Sequence, residues 1–219
     1  MATSKQADMQ QLAAVLADGI ATLSLDLSQQ QQALLLDYLA LLLKWNTVYN
    51  LTAVRDPLQM VTHHLLDSLA AVPAFISASR VLDVGAGGGL PGIVLAIACP
   101  TMQVHMIDTV HKKTAFLTQV RSQLRLMNVT VHTGRVEQLD TADKFDVITS
   151  RAFADLSDFV SWSGHLLADA GRFIALKGVV PVDEIARLPA GWKVTEVVPL
   201  CVPGLDAERH LLMVGREAT

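Results

Sequence analysis

With 219 residues, 51% of them apolar and 17% charged, the chain suits one domain with a modest extension and is too apolar for global disorder. A net charge of −4 and a pI of about 5.9 exclude a uniformly basic binder of polyanions and leave room only for a local basic patch. Two cysteines, Cys99 and Cys201, are too few for a disulfide framework or a cysteine-rich zinc site.

Residues 1–11 have no basic start leading into an apolar block, so no secretory signal is expected. The mean hydropathy is +0.38, yet no apolar run approaches the ~20 residues of a spanning helix. A soluble, cytoplasmic chain without a membrane partner is the expectation, and a monomer is the simplest assembly.

Residues 1–79 read as an N-terminal helical extension. A first helix spans about residues 8–23 through Leu12, Val15, Leu16 and Ile20. Ser28 is a natural N-cap for a second helix over 29–45, with Leu35, Leu39, Leu42 and Leu43 on one face. Asp56 before Pro57 starts a third helix, expected to run to Val72 where Pro73 interrupts it. On that helix His64, Asp67 and Ser68 stand at i, i+3 and i+4 and share a face. They face an acceptor pocket together with Asn50, or they form a partly exposed helix face.

At Arg80 the rhythm changes to short β-branched runs alternating with helices. Strands are expected at 80–84, 103–107, 129–132, 145–149 and 171–176, with helices at 91–98, 112–126 and 155–167. That alternation describes an α/β fold whose parallel sheet is covered on both faces, over residues 80–219 as one unit. A short helix at 182–188 precedes two strands, 193–198 and 210–214. They are joined only through the Pro203-Gly204 turn and expected as an antiparallel hairpin at one end of the sheet.

The strongest signal is the run from Val81 to Gly92, in which an apolar strand ends in Asp83 and enters a turn with five glycines. Pro91 is expected to open the following helix. Glycines admit positive φ there and let a ligand approach the main chain. The position is the carboxyl end of the first strand, where open α/β sheets bind ligands. Gly87, Gly89 and Gly92 fit the dinucleotide spacing G-x-G-x-x-G. Asp83, Gly85, Gly87 and Gly89 fit instead the acid-x-G-x-G-x-G turn of S-adenosylmethionine-dependent methyltransferases. Asp83 favours the second frame: a carboxylate repels a pyrophosphate but attracts an ammonium and a sulfonium. Asp108 closes the second strand, where an acid accepts hydrogen bonds from ribose hydroxyls, caps the next helix, or does both. Val136 and Glu137 follow the third strand, where adenine is expected.

Further motifs extend the pattern: Lys44-Trp45-Asn46, Tyr49-Asn50-Leu51-Thr52, Arg55-Asp56-Pro57 and His64-Leu65-Leu66-Asp67-Ser68. The glycine turn ends in Leu90-Pro91-Gly92, and Ser150-Arg151-Ala152, Ala175-Leu176-Lys177-Gly178 and Arg209-His210 follow. With them the chain from Leu34 onward resembles the bacterial small-subunit rRNA guanine-N7 methyltransferase family, RsmG or GidB. The resemblance implies a class I methyltransferase fold, Rossmann-like with a mixed sheet, behind an N-terminal helical extension. It implies S-adenosylmethionine as donor and a 16S rRNA guanine in the decoding region as acceptor, within the small ribosomal subunit or an assembly intermediate. Carried over position by position, it places Gly85, Leu90, Val136, Glu137 and Arg151 at the cofactor. Gly88 stands where many relatives have proline, which loosens the turn.

The residues are compatible with N7 chemistry. The Asn/Asp-Pro-Pro-aromatic motif of exocyclic-amine enzymes is missing after the fourth strand, where Ser150-Arg151-Ala152-Phe153 stands. Cys99 and Cys201 read as small buried hydrophobes, not nucleophiles. Guanine N7 has a free lone pair and needs alignment more than a base. Arg151, His64, Asn50 and Asp67 are the candidate catalytic residues. No metal is expected, because adjacent His63 and His64 point apart on a helix and no third ligand has suitable spacing. Residues 101–136 hold five basic side chains (Lys112, Lys113, Arg121, Arg125, Arg135) and one acid, whereas residues 137–219 hold eight basic and thirteen acidic. That local excess suits phosphate contact. Lys112, Lys113, Arg55 and Lys177 are the candidate RNA contacts.

Overall fold

Ser28 caps the second helix as its sequence suggests, and the cap is reciprocal. The Ser28 hydroxyl accepts from Gln31 N at 3.3 Å while Gln31 Oε1 accepts from Ser28 N at 2.9 Å. The computed structural model describes residues 2–151 and 155–217, with side chains from residue 9. Residues 152–154, which include Ala152 and Phe153 of the motif after the fourth strand, lie outside the described residues.

Helix α1 (Ala2–Thr22) leads to α2 (Gln29–Tyr49), which runs four residues past its expected end and stops at Asn50 in the left-handed region, φ 49°. Gln31 Nε2 donates to the Ile97 and Ala98 carbonyls at 2.9 and 3.0 Å, tying α2 to the α/β portion. Asp56 caps α3 (Pro57–Met60), its Oδ1 accepting from Gln59 N at 2.8 Å. The single helix expected to follow is broken into three. A π-helical turn (Val61–Leu66), α4 (Asp67–Ala71) and a 3₁₀ turn (Val72–Phe75) continue it. The wider π turn changes the angular step, so the simple i, i+3, i+4 face does not apply. His64, Asp67 and Ser68 are all buried, which rules out the partly exposed face.

The sheet comprises β1 (Arg80–Val84), β2 (Gln103–Asp108), β3 (Val129–Thr133), β4 (Phe145–Arg151), β5 (Leu167–Lys177), β6 (Trp192–Pro199) and β7 (His210–Arg216). Its order is β3-β2-β1-β4-β5-β7-β6. The first five strands are parallel, and β7 is antiparallel to both neighbours. The terminal hairpin is therefore as expected, with β7 inserted between β5 and β6. Strand β5 starts at Leu167, earlier than expected, because Leu167 pairs with Phe145 before a register shift.

Helices α5 (Gly92–Ala98) and α6 (His111–Gln123) follow β1 and β2. Pro91 sits at the N-cap of α5 and not inside it. Helix α7 (Leu156–Ser163) is capped by Asp155, and α8 (Val182–Ala186) is a short turn. One apolar cluster joins Leu16, Leu35, Tyr38 and Leu39 of the first helices to Ile93, Met106 and Val147. A second, around Leu82, Ile148, Phe159 and Phe173, covers the other face. Cutting one of the fully buried leucines to alanine costs roughly 2–5 kcal/mol, so the first helices are held by core packing. Cys99 is half-buried and Cys201 exposed, which corrects the reading of both as buried hydrophobes. Among the described residues no helix is long and apolar enough to cross a membrane.

Candidate active site

Strand order reverses between β1 and β4, so the connections leave β1 and β4 in opposite directions and open a crevice at their carboxyl ends. The glycine turn forms its floor. Gly85 and Ala86 N–H donate to the Ile107 carbonyl at 2.9 and 3.1 Å, and Gly87 N–H to Asp108 Oδ2 at 3.0 Å. Gly89 has φ 91°, and a Cβ there would lie 2.6 Å from Ile93 Cγ1, so only glycine fits. Asp83 is fully buried. Its Oδ2 accepts from Gly92 N at 2.9 Å, and its Oδ1 has no partner. Burial pushes this carboxyl up to about 7, against the pull of the Gly92 bond and Arg151, with Asp108 adding to the rise. From α2 the Tyr38 hydroxyl donates to the Gly88 carbonyl at 2.6 Å and pins the turn from below.

Three cavities follow one another along the crevice. The first, ≈ 330 Å³, is lined by Gly85, Asp108, Lys113, Arg135, Val136, Glu137 and Trp162 among others. Asp108 Oδ1 accepts from Val110 N at 2.9 Å and Oδ2 from Lys113 Nζ at 3.3 Å. The acid thus faces the cavity and braces the turn before α6, but it is not that helix's cap: Val110 holds the N-cap position, without a side-chain cap bond. Val136 is buried at the start of a 3₁₀ turn, and exposed Glu137 pairs with Arg135 at 3.3 Å. The second cavity, ≈ 240 Å³, runs along Gly85–Gly88 and Leu90, with Leu42, Leu51, Thr52, Lys113 and Arg151 opposite. The third, ≈ 460 Å³, is bounded by Val54, His63, His64, Asp67, Arg151, Leu176, Lys177, Gly178 and Arg209. Gly85 and Lys113 border the first two, and Arg151 borders the last two.

Arg151, His64 and Asp67 are brought together. Arg151 Nη1 donates to the His63 carbonyl and to Asp67 Oδ2, both at 3.1 Å, while Arg209 Nε donates to Asp67 Oδ1 at 2.8 Å. Asp67 is 3% exposed, so one buried carboxylate holds two guanidinium groups. His64 Nε2 lies 2.8 Å from Thr52 Oγ1. Burial, reinforced by Arg151, pushes its imidazole down to about 4 and leaves it neutral at pH 7. Asn50 does not join them; it is exposed and accepts from Arg55 Nη2 at 2.8 Å. The segment from 50 to 55 is braced by buried Asn46, which accepts from Thr52 N at 2.9 Å and donates to Val54 O at 3.4 Å.

The basic residues divide. Lys112 and Arg55 are exposed. Lys177 pairs with Glu184 at 2.7 Å. Lys113 turns toward Asp108 and the first two cavities, so the two lysines do not form one outward-facing surface. Among the described residues no group of three or more His, Cys, Asp or Glu side chains can hold a metal.

Residues 31–212 match the family model described as "GidB: rRNA small subunit methyltransferase G". The chain is 68% identical over 216 residues to the ribosomal RNA small subunit methyltransferase G of Herminiimonas arsenicoxydans, covering 97% of this chain and 99% of that one. It is 66% identical to the protein of the same name from a Janthinobacterium strain, covering 97% and 98%. The chain belongs to this family. The fold is also that of an O-methyltransferase from Bacillus cereus solved in complex with SAH, at TM-score 0.57 and 19% identity over 83% of this chain and 91% of that one.

Sequence reasoning had not singled out Tyr38 or Trp162, and it used Arg209 only as part of a motif. Tyr38 lies 50 residues from its partner Gly88, and Arg209 lies 142 from Asp67. Neither separation leaves a local pattern. A polar hydroxyl within an otherwise apolar helix face was the one available signal for Tyr38.

Proposed function

We propose that the protein transfers a methyl group from S-adenosylmethionine to N7 of a guanine in 16S rRNA, presented by the small ribosomal subunit or an assembly intermediate. The observation that carries this reading is the position of Arg151, on the wall shared by the glycine-turn cavity and the cavity beyond it. A donor along the turn and an acceptor base in the third cavity would meet there.

The residues present fit the donor. Asp83 lies behind the glycine turn and lines none of the three cavities; an ammonium drawn toward its unpartnered Oδ1 would relieve the cost of ionising that carboxyl. Asp108 has three hydrogen bonds on its two oxygens, which leaves a lone pair for a ribose hydroxyl. Bound S-adenosylmethionine supplies a methyl group on a sulfonium, and guanine N7 has a lone pair that takes it without first losing a proton. The chain's own groups suit such a reaction. His64 stays neutral, and Asp67 is committed to two arginines, so neither is poised to carry a proton. Asp67 and the His63 carbonyl instead fix the orientation of Arg151, and orientation is what a transfer to a free lone pair needs. Lys112 and Arg55, exposed beside the crevice, are the proposed phosphate contacts.

Nucleoside analysis of rRNA from a strain lacking the gene tests the proposal. It should show the loss of one 7-methylguanosine from 16S rRNA, restored by the wild-type gene. An unchanged inventory would overturn it.

A further inference from the structure

The third cavity has a hydrogen-bond donor with no protein partner, while the acceptors around it are already engaged by other groups. Each oxygen of Asp67 accepts from one guanidinium, Oδ2 from Arg151 and Oδ1 from Arg209. The His63 carbonyl accepts from Arg151 at 3.1 Å, that of Val54 from Asn46 at 3.4 Å, and that of Gly178 lies 2.6 Å from His210 Nδ1. His64 adds no acceptor. Thr52 Oγ1 accepts from Val54 N at 3.1 Å and has one proton to give, which goes to His64 Nε2 at 2.8 Å. The opposite assignment would strand both that hydroxyl proton and the buried Nδ1. The ring proton is therefore on Nδ1. The group with no partner at all is a donor. Among the described residues Arg209 uses Nε on Asp67 and Nη1 on the Glu208 carbonyl at 2.8 Å, and its Nη2 makes no hydrogen bond.

We infer that Arg209 reads the acceptor base, its Nη2 donating to O6 of guanine, and that this makes the cavity select guanine over adenine. The inference rests on the guanine-N7 reading and goes beyond it by naming the group that chooses the base. On the edge that carries N7, guanine offers a second acceptor, O6, whereas adenine offers an amino donor, N6. The reacting N7 must stay unbonded for its lone pair to accept the methyl group, so recognition falls on O6. Arg151 borders the glycine-turn cavity as well, but Arg209 borders the third cavity and neither of the other two. Adenine would set its amino donor against the guanidinium donor of Arg209, leaving that pair unmatched in a desolvated site. Asp67 is the positioning residue, since it fixes the plane of both guanidinium groups.

Small subunits reconstituted with guanosine, inosine or 2-aminopurine riboside at the target position provide the test. Inosine keeps O6 and N7, and 2-aminopurine keeps N7 without O6. Transfer from methyl-labelled S-adenosylmethionine is measured with wild-type protein, with Arg209→Lys, which keeps the charge beside Asp67, and with Arg209→Gln as a second variant. S-adenosylhomocysteine calorimetry checks that each variant is folded. Wild type should accept inosine and should discriminate against 2-aminopurine by roughly 10- to 100-fold, the range for one hydrogen bond to a charged group. In the folded variants that ratio should shrink by at least about tenfold, chiefly because guanosine slows. A ratio as large as in wild type overturns the assignment to Arg209. If wild type forms no 7-methylguanosine from the guanosine substrate, the functional reading fails and this inference with it. If 7-methylguanosine forms and the ratio does not move, the assignment alone is wrong.

Discussion

Asp83 should make donor binding depend on pH, with a sign fixed by its burial. In the free protein its carboxyl is raised to about 7, so it is about 3% ionised at pH 5.5 and about half ionised at pH 7.0. An ammonium beside Oδ1 requires the ionised form, and apparent affinity scales with the competent fraction. Affinity for S-adenosylhomocysteine should therefore rise about 16-fold from pH 5.5 to 7.0, the ratio of those fractions. The span stays below the ordinary range of an α-amino group, ~7.7–8.0, so the ligand remains charged. Stability of the free protein runs the other way. A carboxyl raised on folding contributes stability below its unfolded value and loses that contribution as pH rises through about 7. The rise in melting temperature on adding ligand should thus grow over the same span. Titration calorimetry across pH, with wild type and Asp83→Asn, measures both the affinity and the released proton. A flat wild-type profile, or the same slope in Asp83→Asn, would refute the reasoning.

Tyr38→Phe removes the 2.6 Å bond to the Gly88 carbonyl; stranding that acceptor should cost roughly 1–3 kcal/mol in denaturant melts and weaken donor binding. Gly92→Ala would set a Cβ 2.7 Å from Met106 Sδ and 2.8 Å from Asp83 Oδ2, so its melting midpoint should fall by an amount equivalent to roughly 1–3 kcal/mol. Lys112 and Lys113 should separate. Lys113→Ala, losing its 3.3 Å ion pair with Asp108, should weaken cofactor affinity by up to about fivefold, as for a partly exposed pair. Lys112→Ala should leave cofactor affinity unchanged and lower the salt slope of substrate binding by roughly 0.9, one phosphate contact.

Features with a local cause were legible in the sequence. The Ser28 and Asp56 caps, the five parallel strands and the glycine turn all follow from short-range patterns of apolar spacing, capping oxygens and glycines. Asp83, Asp108, Val136 and Arg151 could be placed for the same reason, since each follows or ends a recognisable strand. What the sequence hid depends on contacts made at a distance. The π turn at Val61–Leu66 looks like ordinary helix by spacing, and it forms where His64 and Asp67 are held by Thr52, Arg151 and Arg209. Lys113 could not be told from Lys112 by residue type; one position along α6 decides which of them faces Asp108. Asn50 shares a motif with Leu51 and Thr52, which border the crevice, yet Arg55 holds it aside.

The most direct test of the central claim is transfer by the purified protein itself. Small subunits from the deletion strain are incubated with protein and methyl-labelled S-adenosylmethionine, and the 16S rRNA is digested to nucleosides and resolved by mass. One 7-methylguanosine per 16S rRNA should appear, and Arg151→Ala should suppress it while weakening cofactor binding. Label in another nucleoside, or no transfer to any form of the subunit or its rRNA, would contradict the account.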